Sequence, residues 1–491
     1  GGSTGGFGGS TGGFGGSTGG FGGSTGGFGG STGGFGGSTG GFGGSTGGFG
    51  GSTGGFGGST GGFGGSTGGF GGSTGGFGGS TGGFGGSTGG FGGSTGGAGG
   101  TEAGVCLGGP DDDCDSDGWR VADGDCCDRV GYCSTTPDLV NPGAFEYIGN
   151  AVDDDCDGLV DNLKPPCDGL LNNSNSSDPV DYAKAMDLCQ TTTENAPLPS
   201  RRWGVISGKF TLTNGTGVPS SKSRSIRSMF GDLITPIHGG RVAVLSTGHA
   251  ASVGQTNPEY AMFQTGVDLG LTSPFPQDWY QANGGKLPNA PGCPSPSGDQ
   301  AFDPIMLTLR IRVPTNARSF SFASWFFSAE FPEYVCTEFN DFFVVLVDTP
   351  PPPWPNPADK NLAVYRVTSP PKLFPIGVNL AADPDAQNLF SVCKAGPTGC
   401  AGSTTPGNAP CLSGPTYLQG TGFDDTSQPG CGSSNLLGGG TGWLTTVGNV
   451  APGATMEIRI ALWDTSDGVW DSLVLLDNWV WNVYPASPGT W

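Results

Sequence analysis

The first 98 residues repeat one heptad, Gly-Gly-Ser-Thr-Gly-Gly-Phe, fourteen times, and the last copy alone departs, with Ala98 in place of phenylalanine. Such a segment cannot be helical, because four glycines in seven lose too much backbone entropy in a helix. It is not collagen, since glycine does not recur at every third position. What remains is a flexible tether or an ordered array of extended segments, and the fidelity of the period favours the array. Phe7, Phe14, Phe21, Phe28, Phe35, Phe42, Phe49, Phe56, Phe63, Phe70, Phe77, Phe84 and Phe91 follow one another at seven-residue intervals without a conservative slip. In a continuous strand an odd period throws successive rings to opposite faces, Phe7, Phe21 and Phe35 on one and Phe14, Phe28 and Phe42 on the other. If Gly-Gly pairs turn the chain, each heptad is a short rung and the rings stack at about 4.8 Å. Either arrangement leaves a thin apolar stripe that one chain buries poorly. Residues 1–101 are therefore expected to pack as extended, β-type structure that self-associates.

Charge separates the rest of the chain into two parts. Residues 1–101 carry no ionisable side chain, whereas residues 102–200 hold 21 acids against Arg120, Arg129, Lys164 and Lys184, a net of −17 out of −22 for the whole chain. Carboxylates concentrated in this way repel unless cations neutralise them, so bound metal is expected. The acidity and the lack of any basic run argue against nucleic acid as a partner. No stretch has the 18 or so apolar residues of a membrane span. Because the chain opens on Gly1 inside a repeat, a leader peptide is expected to have been removed already.

The cysteines follow the same partition. Cys106, Cys114, Cys126, Cys127, Cys133, Cys156, Cys167 and Cys189 precede residue 200; Cys293, Cys336, Cys393, Cys400, Cys411 and Cys431 follow it. Even counts in each part suit disulfides formed separately in two domains, residues 102–200 and 201–491, without fixing their connectivity. Disulfides in turn place the chain in an oxidising compartment, secreted or at the cell surface.

Two stretches of the acidic segment share the pattern Asp-x-Asp-x-Asp-Gly: Asp113, Asp115, Asp117, Gly118, and Asp153, Asp155, Asp157, Gly158. Alternate carboxylates on a tight loop converge on one hard cation, and the glycine permits the turn. The bidentate Glu of an EF-hand loop is missing from both, its place taken by Gly124 and Lys164. Other ligands must complete each shell, Asp123, Asp125 and Asp128 for the first site and Asp161 for the second. Oxygen ligands and the scarcity of histidine (His238 and His249 alone) favour calcium over copper.

The run from Asp113 to Asn162, with Val140-Asn141-Pro142-Gly143-Ala144 between the loops and Asp154-Asp155-Cys156-Asp157-Gly158 near its end, resembles the metal-binding repeat of bacterial surface proteins. That resemblance implies calcium-type binding in a cysteine-stapled loop; the vicinal Cys126-Cys127 departs from the family pattern.

From Arg201 onward, short β-rich runs alternate with Gly, Pro, Asn and Ser: Arg241–Ser246, Ile305–Val313, Ser319–Phe327, Phe342–Asp348, Met456–Trp463 and Leu473–Val483. Many short strands between turn residues predict a mainly β fold, an antiparallel sandwich of jelly-roll type. Phe320, Phe322, Trp325, Phe326 and Phe327 read as core, and Pro350–Pro355 as an exposed loop. Glu330, Glu333, Asn340 and Asp341 form a second candidate cation site; Asp464, Asp467 and Asp471 have a less decisive spacing.

Residues 203–485 also resemble the choice-of-anchor L domain. The likeness rests on Leu245-Ser246-Thr247-Gly248, on Asp303-Pro304-Ile305, on Phe320-Ser321-Phe322-Ala323-Ser324 and on Ser328-Ala329-Glu330-Phe331-Pro332-Glu333-Tyr334. It continues through Phe339-Asn340-Asp341-Phe342-Phe343 and the late Asp464-Thr465-Ser466-Asp467-Gly468 with Asp471-Ser472. It implies a secreted or surface-displayed β domain whose members attach by varied C-terminal anchors, and it brings no enzymatic activity. Neither a paired-carboxylate arrangement nor a Ser/His/Asp set is legible, so a non-enzymatic role is expected. The chain is read as a filament subunit assembling with itself or, alternatively, as an adhesin whose β domain grips a glycan or matrix partner.

Overall fold

The computed structural model describes five short segments of the repeat (14–18, 28–32, 42–46, 56–58 and 70–72). It also describes residues 109–491 apart from Val130, Tyr132, Thr265, Gly266, Ser297, Gln428, Pro429 and 433–435. Cys106 and the repeat phenylalanines Phe7, Phe21, Phe35, Phe49, Phe63, Phe77, Phe84 and Phe91 lie outside the described residues. The chain divides into two compact units, Gly1–Cys106 and Leu107–Trp491.

In the first unit, β1 (Phe14–Thr18), β2 (Phe28–Thr32), β3 (Phe42–Thr46), β4 (Phe56–Gly58) and β5 (Phe70–Gly72) form one sheet in chain order. Pairing is parallel and in register, Phe14 opposite Phe28, Phe28 opposite Phe42, Phe42 opposite Phe56 and Phe56 opposite Phe70. The rung therefore spans two heptads rather than one. Parallel neighbours require the chain to travel back to the same end, and the two glycines that separate Phe-Gly-Gly-Ser-Thr segments in consecutive heptads cannot make that journey.

The second unit is built from β6 (Gly204–Thr211), β7 (Arg224–Arg227), β8 (Val242–Ser246), β9 (Thr272–Ser273), β10 (Ala301–Arg312), β11 (Ser319–Ser328), β12 (Phe342–Asp348), β13 (Val364–Thr368), β14 (Pro371–Pro375), β15 (Gly396–Thr398), β16 (Gly407–Ala409), β17 (Gly439–Gly440), β18 (Leu444–Asn449), β19 (Thr455–Thr465), β20 (Ser472–Asn482) and β21 (Gly489–Thr490). Two short helices, α1 (Pro179–Ala185) and α2 (Gln277–Ala282), complete it. One antiparallel sheet runs β12-β19-β10-β6, with β9 added to β10; the other runs β21-β18-β11-β20-β8-β7, with β17 added to β11. Leu307, Leu309, Val345, Val347, Ile458 and Ile460 of the first sheet meet Leu245, Phe320, Phe322, Phe326, Val474 and Leu476 of the second in one core. This is the antiparallel sandwich expected from the sequence.

Both outer faces are covered as well. Phe342, Val344 and Trp463 pack under Phe275 and the α2 residue Trp279. Val244, Phe327 and Leu475 pack under Phe230, Phe263 and Phe423. Strands buried on both faces carry near-continuous apolar runs, and Phe320, Phe322, Trp325, Phe326 and Phe327 are all buried. The Pro350–Pro355 segment is an exposed loop apart from the half-buried Pro352.

Among the described residues of 109–178 there is no strand or helix beyond two single 3-10 turns, Val121–Asp123 and Pro137–Leu139. They dock on the loop between β10 and β11, where Asn316 exchanges two hydrogen bonds with the Phe145 backbone (3.0 and 2.8 Å) and Thr315 donates to the Gly143 carbonyl (3.0 Å). Helix α1 begins at Pro179 and is capped by Asp178, which accepts from the Val180 N–H at 2.9 Å. Its Tyr182, Ala183 and Ala185, with Met186 and Leu188 beyond, enter the sandwich core itself.

Six disulfides join described cysteines: Cys126–Cys156, Cys127–Cys133, Cys167–Cys189, Cys293–Cys336, Cys393–Cys411 and Cys400–Cys431. Cys114 is also disulfide-bonded. All six stay within the two groups that the sequence separates. The vicinal cysteines split their tasks, Cys127 closing a local loop while Cys126 reaches the second acidic loop.

Candidate metal centre

The two acidic loops fold alike. Asp113 accepts from the N–H groups of Ser116 (2.8 Å) and Gly118 (3.1 Å), and Asp153 accepts from those of Asp157 (3.1 Å) and Gly158 (2.9 Å). Gly118 and Gly158 each sit at φ +92°, in the left-handed region that a side chain disfavours. The third aspartate of each motif turns back on the chain, Asp117 to the Trp119 N–H (2.6 Å) and Asp157 to the Leu159 N–H (3.0 Å). An asparagine amide then holds its second oxygen, Asn141 on Asp117 (2.8 Å) and Asn162 on Asp157 (2.9 Å).

In the first loop the carboxylates converge. Asp113, Asp115 and Asp128 each bring an oxygen within 4.8 Å of the other two, and so do Asp115, Asp117 and Asp125. Asp115, Asp125 and Asp128 each satisfy one oxygen with a backbone N–H, from Asp117 (3.1 Å), Cys127 (2.8 Å) and Cys114 (2.5 Å). The other oxygen of each, Oδ2, is buried without a hydrogen-bond partner. Buried anionic oxygens left unpaired are costly, and three of them in one loop fit a hard cation that supplies what the protein does not. Asp123 takes no part, since the Arg120 guanidinium holds it at 2.5 and 3.2 Å.

The second loop is assembled differently. Glu146, Asp153 and Asp155 bring oxygens within 4.8 Å of one another, but Lys164 lies on Asp155 (2.9 Å) and on Asp157 (2.5 Å). Asp161 faces the other way, accepting from Gly149 (2.6 Å), Asn150 and Ala151 N–H groups (3.2 Å each). Where an EF-hand places its last carboxylate, this loop places an ammonium, so it is partly neutralised from within. Glu146 was not legible as a participant. Its signal, a lone acid soon after the Pro-Gly-Ala turn, acquires meaning only once the fold shows it accepting from the Asp161 N–H (2.5 Å) and the Asp154 N–H (3.0 Å). Replacing Lys164 by methionine is expected to raise the affinity of this loop for a divalent ion about tenfold or more, because it leaves Asp155 and Asp157 unneutralised; calorimetric titration measures it.

Burial pushes Asp117 up to about 7 and Asp115 up to about 6, with neighbouring carboxylates adding to both. Without a cation, the folded state holds these protons more tightly than the unfolded chain does. The contribution of these two carboxyls to the stability of the cation-free loop is then fully present below about pH 4 and is lost as pH rises toward 7. Cation binding has the opposite sign, since protons compete below about pH 6–7. The rise in thermal midpoint on adding a divalent cation should be large at pH 8 and absent at pH 5.

The other candidate residues meet at the ends of the sandwich strands. Glu330 and Asp341 are buried, and the Asp341 N–H approaches the Glu330 carboxylate at 3.4 Å. Asn340 turns instead to the loop at Gly377–Asn379, accepting from the Asn379 N–H at 3.4 Å. Burial pushes Glu333 up to about 7, and its Oε2 is buried without a partner. His249 donates from Nδ1 to the Glu259 carbonyl at 2.8 Å, a loop hydrogen bond.

These strand ends carry the Leu-Ser-Thr-Gly, Phe-Asn-Asp and Asp-Thr-Ser-Asp-Gly motifs, and the family model for the choice-of-anchor L domain matches residues 240–480. This chain carries a choice-of-anchor L domain. The matched span covers β8 through most of β20 and lies inside the 203–485 region over which the motifs extend. A choice-of-anchor L domain implies a bacterial protein at the cell surface or outside the cell. Among the described residues no helix is long and apolar enough to cross a membrane. No curated protein and no solved structure gives a match to the chain.

Proposed function

We propose that this protein is a secreted structural subunit of an extracellular filament, with the heptad repeat as its assembly segment and the choice-of-anchor L domain as a folded head, and without catalytic activity. The observation that carries this reading is the parallel, in-register pairing of β1 to β5. A ladder of identical rungs offers, at its edge strands, the same hydrogen-bonding pattern that joins its interior strands. A second copy of the repeat can extend it without new chemistry. The head carries calcium in its first acidic loop, through Asp113, Asp115, Asp117, Asp125 and Asp128. All-oxygen donors of this kind suit calcium.

An adhesin is the second reading, favoured by a groove of about 510 Å³ lined in part by Trp203, Trp479, Val480, Asp187 and His238. Aromatic faces beside a carboxylate are suited to a glycan. Electron microscopy of the purified full chain separates the two. Uniform filaments are expected, and monodisperse particles at all concentrations would sink the filament reading.

A further inference from the structure

The segment that follows helix α1 is pinned on three sides. The Trp479 N–H donates to the Met186 carbonyl (2.8 Å), the Gln190 amide donates to the Trp203 carbonyl (2.9 Å), and Cys189 is bonded to Cys167. Asp187, Trp203 and Trp479 together line the groove of about 510 Å³ and also a second cavity of about 250 Å³ beside it. Asp187 lies just past the helix end at φ +68°, where glycine is the usual residue. Asn478, on the same groove, is held at φ +54°. Left-handed backbone at residues with a side chain persists only where the surroundings enforce it, and it concentrates at binding sites.

The lining leaves polar groups without partners. His238 Nδ1 lies 2.8 Å from Asp187 Oδ1, whereas Asp187 Oδ2 is buried and unpaired. The nearby Asn478 N–H is taken by Asp477 (2.7 Å). Burial holds the Asp187 carboxyl above its ordinary range although His238 draws it down. In the second cavity Asp155 Oδ1 and the indole N–H groups of Trp479 and Trp481 are also buried and unpaired. Lys164, which lines both spaces, is committed to Asp155 (2.9 Å) and Asp157. Unpaired donors and acceptors beside indole suit a guest with an apolar face, hydroxyls and a cationic donor. A carboxylate-bearing guest would instead meet like charge at Asp187, Asp155 and Glu146.

We propose that this groove binds an amine-bearing sugar of the glucosamine class, its ring against Trp203 and its ammonium at Asp187. The half-buried Trp203 keeps part of its indole open to solvent, and an ammonium on a carboxylate makes a charge-assisted hydrogen bond. The proposal rests on the reading of the groove as a glycan site and narrows the glycan to one chemistry. It holds whether or not the chain polymerises.

The test titrates the full chain with the β1,4-linked disaccharide of glucosamine, its N-acetylated form and the glucose disaccharide of the same linkage. Tryptophan fluorescence reports binding, at about 0.15 M salt, where diffuse attraction to an acidic chain is screened. The expected result is saturable binding of the amine form, at least tenfold tighter than of the other two. Asp187→Asn should erase that preference, and asparagine tolerates the left-handed backbone. Trp203→Ala should weaken all three disaccharides. Lys164→Met should strengthen the amine form severalfold by removing a like charge from the lining, a gain that damage to the fold cannot imitate. Equal binding of the three disaccharides overturns the proposal and leaves the glycan groove in place. Binding of none overturns both. A tenfold preference that survives Asp187→Asn overturns the assignment of the ammonium to that carboxylate, and with it the proposal.

Discussion

Replacing Phe14, Phe28, Phe42, Phe56 and Phe70 together by serine should abolish self-association of the full chain while leaving its head folded. Each of these residues stands opposite the next across a parallel pair, so one aromatic occupies every described rung at the same register position. If assembly buries one phenylalanine per rung, each would contribute about 1.5–3 kcal/mol, which polar serine cannot supply. The single substitution Phe42→Ser, on the central strand, is the graded version. At about 1.4 kcal/mol per tenfold, it should raise the critical concentration for assembly roughly 10- to 150-fold. Sedimentation of the polymer against total protein measures both. Normal assembly of the fivefold variant would show that the aromatic period is incidental to it.

Asp115→Asn with Asp125→Asn should cost the first acidic loop its cation, with affinity falling by about 100-fold or more. Both residues carry an Oδ2 that is buried and unpartnered, and both take part in the clustered groups of that loop. Asparagine keeps the shape and the acceptor for the backbone N–H, so the loss isolates charge. Asp123→Asn is the internal control. Its carboxylate is held by Arg120, and its replacement should leave cation affinity within about twofold while loosening the turn at Val121–Asp123. Protease cleavage across residues 109–162, with and without calcium, reads the same difference. Equal protection of the double variant and its parent would remove the cation from the account of this loop.

The strands of the sandwich were legible because β-branched and aromatic runs bounded by turn residues have few other outcomes. The observed β8, β10, β11, β12, β19 and β20 overlap every run read from the sequence. Helix α1 was not, since seven residues give too little period to stand out, and what holds Tyr182 is a core made of residues far along the chain. The acidic motifs were legible as local spacing, but their allegiances were not. Lys164 cancels Asp157, Arg120 claims Asp123, and Glu146 enters from outside the motif, all through contacts that only the folded loop creates. The meeting of Asp341 with Thr465 and Ser472 depends on which strand ends coincide, and sheet order is not written in any local window.

The bridge from Cys126 to Cys156 has a mechanical consequence. What a pull along a chain can release is the contour length not already cross-linked. This bridge, whose cysteines stand 30 positions apart in the chain, withholds about 100 Å of extended chain from any such load. Tension applied on either side of the bridge passes through the sulfurs and leaves residues 127–155 unloaded. The two turns that gather the carboxylates thus stay at a fixed separation while neighbouring segments are stretched.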